Sequence, residues 1–168
     1  MNTAAAKKTG SRESIRAALE GLYARYNDRK HVSSDPLEFV YRYERAEDRE
    51  IAALVASSLA FGNVPQIRAS VSRALSVLGE SPAAFCRDES PRALASAFRG
   101  FRHRWIEGGD MASLLAGAGR AAREHGSLGE LFLSGLDVRD GDVVPAAARF
   151  VARLRGMSGG FRPCLLPS

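Results

Sequence analysis

The chain has 168 residues, 45% apolar and 26% charged, a composition that suits one globular domain with a sizeable core and excludes a largely disordered chain. No apolar run reaches the length of a membrane span and Met1 to Ser11 lacks the apolar stretch of a signal peptide, so a cytoplasmic protein is expected; Cys86 and Cys164 lack the spacing of a disulfide framework or zinc knuckle. The net charge of +5, carried almost wholly by arginine, suits a phosphate-rich partner and suits equally a genome rich in Arg, Ala and Gly codons.

Met1 to Gly10 reads as a polar, fraying tail, and Ser11 as the start of a helix with Ile15, Leu19, Leu22, Tyr23 and Tyr26 on one face. Asp35 can cap a second helix, with Pro36 at its first position and Glu38 reaching back. Glu47 to Leu59 has acids in its first turn and an apolar face of Ile51, Leu54, Val55, Ser58 and Leu59. Gly62 stops it, and Asn63 with Gln66 opens the next helix, leaving Phe61 near the tip of a sharp turn.

Val64 to Leu78 then presents Ile67, Val71, Ala74, Leu75 and Leu78 before Gly79, and Ser81-Pro82 and Ser90-Pro91 start two short helices. Asp110 is expected to open a helix bearing Met111, Leu114, Leu115 and Ala118, weakened by about 1 kcal/mol at each of Gly117 and Gly119 and ended by Gly126. Ser127 and Glu130 form a capping box ahead of Leu128, Leu131, Phe132 and Leu133. The last helix follows Asp142 and lines up Val143, Val144, Ala147, Phe150, Val151 and Leu154, with Arg149 and Arg153 on another side. No segment sustains strand alternation, so the expected fold is all-α: a compact orthogonal helical domain over 11–155, with a flexible end over 156–168.

Positive charge is concentrated. Pro91 to Trp105 holds Arg92, Arg99, Arg102 and Arg104 without an acid, and the stretch after Val143 holds Arg149, Arg153, Arg155 and Arg162, again without one. Arg99-Gly100-Phe101-Arg102-His103-Arg104-Trp105 interleaves cations with aromatics, which suits stacking on bases and clamping phosphates, and suits also a plain loop anchored by its aromatics. Phe61-Gly62-Asn63 is open in the same way: Phe61 as a wedge between bases, or as a helix-end residue folded onto the core between a C-cap and an N-cap. His31, His103 and His125 lack metal-ligand spacing, Asp137, Asp140 and Asp142 read as a plain turn, and Ser57 and Ser58 as packing residues, so no metal or cofactor is expected.

The order of a Pro-led helix, a helix ending in Ser57-Ser58 and a short loop resembles the start of the helix-hairpin-helix DNA glycosylase superfamily. More closely, the chain resembles a bacterial family of uncharacterised conserved proteins distantly related to those enzymes. The matching residues are Leu22-Tyr23, Tyr26-Asn27, Asp35-Pro36-Leu37-Glu38-Phe39-Val40, Asp48-Arg49-Glu50-Ile51, Phe61-Gly62, Phe101 to Trp105, Gly126-Ser127-Leu128 and Leu165-Leu166-Pro167-Ser168. The resemblance implies a double-stranded DNA partner and damaged-base recognition of the base-excision-repair glycosylase type. It places Phe61, Gly62 and Asn63 in the wedge loop, and Arg99, Phe101, Arg102, Arg104 and Trp105 around the base pocket and DNA backbone. In that family the Leu-Leu-Pro-Ser segment leads into a basic helix and a later Asp-x-His element. The chain is therefore expected to be C-terminally truncated and catalytically incomplete, with uncovered apolar helix faces prone to self-association and no catalytic residue to assign. The alternative is a non-catalytic basic helical module that binds nucleic acid or protein.

Overall fold

A computed structural model describes residues 3–33, 35–161 and 165, with side chains from residue 11 onward, and divides the chain into two units, Met1–Asp35 and Pro36–Ser168. The first unit is built on α1 (Thr3–Tyr26), which starts eight residues before the expected Ser11. Ala4-Ala5-Ala6 explains the difference, since alanine is the strongest helix former and continues a helix without a cap. The predicted apolar face, Ile15, Leu19, Leu22, Tyr23 and Tyr26, is exposed. A short 3-10 helix, Arg29–His31, follows, its first turn capped by Asp28, whose Oδ1 accepts from the Lys30 N–H at 3.0 Å.

The second unit is all-α apart from one small hairpin. A 3-10 helix (Pro36–Arg42) leads into α2 (Ala46–Ser58) and α3 (Val64–Leu78), then α4 (Pro82–Asp88) and α5 (Pro91–Ala97). Strands β1 (Arg102–His103) and β2 (Ile106–Glu107) pair antiparallel, and α6 (Gly108–His125), α7 (Leu128–Leu133) and α8 (Val144–Met157) complete the unit. α2 and α6 form its spine: α2 packs on the 3-10 helix, α3, α4 and α7, and α6 on α4, α5, α7 and α8. The predicted face of α2 is buried in full, as are all five apolar positions named for α3. Among the described residues no helix is long and apolar enough to cross a membrane.

Local expectations for α6 and α8 are revised. α6 starts at Gly108 rather than at Asp110, because Glu107 is the N-cap; Asp110, three residues on, closes the box by accepting from the Glu107 N–H at 2.9 Å. Gly117 and Gly119 are sites of close approach rather than mere weak points. A Cβ on Gly117 would lie 1.9 Å from Ser158 Oγ, and one on Gly119 would lie 1.8 Å from the Cys86 carbonyl oxygen. α8 buries Leu154 and packs Phe150 and Val151 against the core as expected, but it also buries Ala146, and Val143, Val144 and Ala147 at its start stay exposed. α8 also runs through Gly156 to Met157, and Ser158 is buried. Leu165 is buried; Arg162, Cys164 and the remaining terminal residues Leu166, Pro167 and Ser168 lie outside the described residues.

Two acids near the start of α2 tie the helices together. Buried Asp48 accepts from Ser81 Oγ at 3.0 Å and the Ala83 N–H at 2.9 Å, capping α4 from a distance. Glu50 does the same for α7, its Oε2 accepting from the Leu128 N–H at 2.8 Å and its Oε1 from Ser127 Oγ at 3.3 Å. The Asp48-Arg49-Glu50-Ile51 motif is thus a joint between helices, which satisfies orphan N–H groups that a local cap leaves open.

Candidate nucleic-acid interface

α2 ends at Ser58, and Gly62 reverses the chain at φ 116, a conformation open to glycine and costly for other residues. Asn63 then caps α3 as expected, its Oδ1 accepting from the Gln66 N–H at 2.9 Å. Phe61 does not project from this turn. It is half-buried and packs against the core, with its ring 4.8 Å from that of His103, edge-on, and 4.9 Å from that of Trp105, stacked at 17°.

The second candidate segment folds as the hairpin. Arg102 pairs with Glu107 and His103 with Ile106, leaving Arg104-Trp105 as a two-residue tip. Strand alternation turns His103 and Ile106 inward and Arg102 outward. Arg104 takes φ 54, the sole positive φ among the described non-glycine residues.

Buried His103 joins the two segments. Its Nε2 lies 3.1 Å from the Phe61 carbonyl oxygen, which can only accept, so Nε2 carries a proton and donates it. Its Nδ1 lies 2.9 Å from Ser70 Oγ on α3. The ring thus fixes both the backbone and the side chain of Phe61, and residues 42 apart in sequence become one surface.

Cations gather on that surface. Arg104 runs along Gly62, its Cδ and Nη1 each 3.4 Å from where a Cβ there would be, and its guanidinium lies 5.1 Å from the Trp105 ring centroid. Arg73 of α3 donates to the Arg102 carbonyl at 2.9 Å and to Ser70 Oγ at 3.3 Å. Gln66, Ala69, Ser70, Arg73, Arg102, His103 and Arg104 line an open groove of about 430 Å³, and none of them is acidic. Trp105, 46% exposed, stands beside it.

Of the residues singled out in the sequence, Phe61, Gly62, Arg102, Arg104 and Trp105 meet here, with Asn63 at the adjoining helix start. Phe101 turns inward, edge-on to Phe98 at 5.7 Å, with Arg73 over its ring at 5.5 Å. Arg99 is exposed but lies outside the groove lining. Arg73, Gln66 and Ser70 join the site from α3, where nothing in the local sequence sets them apart.

Other polar groups have structural roles. Burial, with the charge of Asp48 adding to it, pushes the Cys86 thiol up to about 12, which keeps it protonated and inert. Asp137 is held at about 2 by hydrogen bonds from Arg139, Asp140 pairs with Arg149, and the Asp142 carboxylate accepts from the Val144 N–H at 2.9 Å, the contacts of a turn. Ser57 donates to the Leu54 carbonyl, and Ser58 is buried in α2. Among the described residues no group of three or more His, Cys, Asp or Glu could hold a metal ion.

No curated protein and no solved structure matches the chain. A family model described as "Protein of unknown function (DUF2400)" matches residues 35–163, a span that takes in the whole groove, the Phe61 turn and the hairpin. The chain therefore belongs to the DUF2400 family, an uncharacterised family as the sequence resemblance implied.

Proposed function

We propose that this chain is a DNA-binding protein of base-excision type, which holds the backbone of a duplex in its arginine-lined groove and recognises a disturbed base step with the aromatic tip beside it. The observation that carries the reading is the junction at His103, where the Phe61 turn and the Arg102–Glu107 hairpin become one basic and aromatic surface. Such a surface matches both chemistries of a nucleic acid, since arginines neutralise phosphates and an aromatic face stacks on bases. The groove-lining residues include no carboxylate, so this surface is assigned recognition, and no residue is assigned catalysis.

Salt dependence tests the reading. Each phosphate contact releases counterions, so replacing both Arg102 and Arg104 with Gln should reduce the slope of log K against log salt by about two units. Arg99→Gln, outside the groove, should change it by less than one. Fluorescence anisotropy of a labelled duplex across a salt series measures both. An unchanged slope in the double variant removes the groove as a DNA site and leaves the alternative of a basic module with another partner.

A further inference from the structure

Ile15, Leu19, Leu22 and Tyr26 follow one another along α1 at steps of 4, 3 and 4 residues, the alternation of a coiled-coil seam, and Arg12, one seam position earlier, ends the apolar run. Each of the four is more than half exposed, as is Tyr23 at the seam's edge, and no described side chain of α1 is buried. Every later α-helix, by contrast, buries residues of its own. A lone helix of this length is marginal in water, because helices draw most of their stability from packing an apolar face. α1 therefore lacks the surface that its sequence is patterned to meet.

We infer that the 15–26 face of α1 docks on the same face of a second copy of this chain, as a weak two-fold pair. Three observations select a second copy. A seam of this spacing is matched by another of the same spacing, since knobs at that repeat enter holes at that repeat, and two identical patches close on each other about a two-fold axis. The flank of the seam is balanced in charge: Arg16 and Glu20 lie 4.0 Å apart, so two copies approach without the repulsion of a flank of single sign. The area also suffices. Five side chains, each about half exposed, offer roughly 100 Å² apiece, so two copies bury about 1,000 Å² in all, the lower limit for a specific interface. A contact of that size makes a weak pair, half-associated at a concentration on the order of 10 µM. The inference goes beyond the nucleic-acid reading and stands apart from it, since the groove belongs to the second unit.

Sedimentation equilibrium of the full chain from about 1 to about 200 µM tests the pairing, a range that brackets the expected affinity. The average mass should rise with concentration from that of a monomer toward that of a dimer and level off there. Leu19→Ala with Leu22→Ala removes the centre of the seam and keeps the helix, alanine being the strongest helix former, and should weaken pairing by at least about tenfold. Ala24→Lys places a charge on the opposite, exposed side of α1 and should leave pairing within about twofold of the unaltered chain. A chain that stays monomeric throughout overturns the inference. So does association that the double alanine variant retains, or that Ala24→Lys removes, because either result assigns it to a surface other than the seam.

Discussion

Arg104 is where fold and function pull in opposite directions. Its φ of 54 places an L-residue in the left-handed region, at a cost of about 1 to 2 kcal/mol from the approach of Cβ to the carbonyl. Glycine escapes that cost but orders a more mobile unfolded chain, which takes back about 0.5 to 1 kcal/mol. Arg104→Gly is therefore expected to raise stability by about 0.5 to 1 kcal/mol in urea melts. The same change removes the guanidinium that lies over Trp105 and reaches the groove, so DNA affinity should drop and the salt slope shrink by about one unit. A variant that gains stability and loses binding identifies the strain as the cost of placing a cation at the tip. One that loses stability with binding intact shows Arg104 to be a packing residue.

At the scale of elements, the joints are made by acids reaching from one helix to the start of another. Asp48 is 3% exposed, and its Oδ1 accepts from both Ser81 Oγ and the Ala83 N–H. Removing it leaves a buried N–H and a hydroxyl without their acceptor, so Asp48→Ala should cost roughly 1 to 3 kcal/mol in chemical denaturation, the range for loss of a cap and of a buried hydrogen bond. A loss under half a kcal/mol would show that water replaces the carboxylate there. Such joints also mark the limit of what the sequence discloses. Helix starts whose signals lie within a few residues, at Asn63 and Gln66 and at Ser90 and Pro91, are legible because their chemistry is local; those at Pro82 and at Ser127 are legible only in their local half, and the distant acceptors Asp48 and Glu50 are not. The start of α6 misleads because an acid at the third helical position and an acid at the N-cap look alike in sequence. The hairpin is illegible because strands of two residues carry no alternation to read. For the site, the basic and aromatic composition of Arg99 to Trp105 is visible in advance. The contribution of Arg73 is not, since it depends on α3 packing beside a loop 29 residues away in sequence.

Across the unit that carries the site, Glu38 ties the 3-10 helix at Pro36–Arg42 to α3, the helix that supplies Gln66, Ser70 and Arg73 to the groove. Its Oε1 accepts from Arg42 Nη2 and from Arg68 Nη2, each at 2.8 Å, and both guanidiniums lie near the face of buried Phe39. Partial burial pushes the Glu38 carboxyl up, but hydrogen bonds from Arg68 and Arg42, with their charges, outweigh it and hold the group below its ordinary value of 4.5. A carboxyl with a depressed folded pKa binds its proton sooner in the unfolded chain, so stability rises with pH through that interval. The contribution of Glu38 is thus fully present above pH 4.5 and is lost as the pH falls through the depressed folded value. Asp137 is also depressed, to about 2, but its pair with Arg139 is solvent-exposed and screened, so little of the acid response arises there. Glu38→Gln is expected to cost about 1 kcal/mol at pH 7 and to flatten the fall in stability below pH 4.5 relative to the unaltered chain. Urea melts of both proteins from pH 7 to pH 3 give the two curves. Parallel curves would assign the acid response to other carboxylates, and convergence at low pH assigns it to the Glu38 tie that sets α3, and with it the groove, in place.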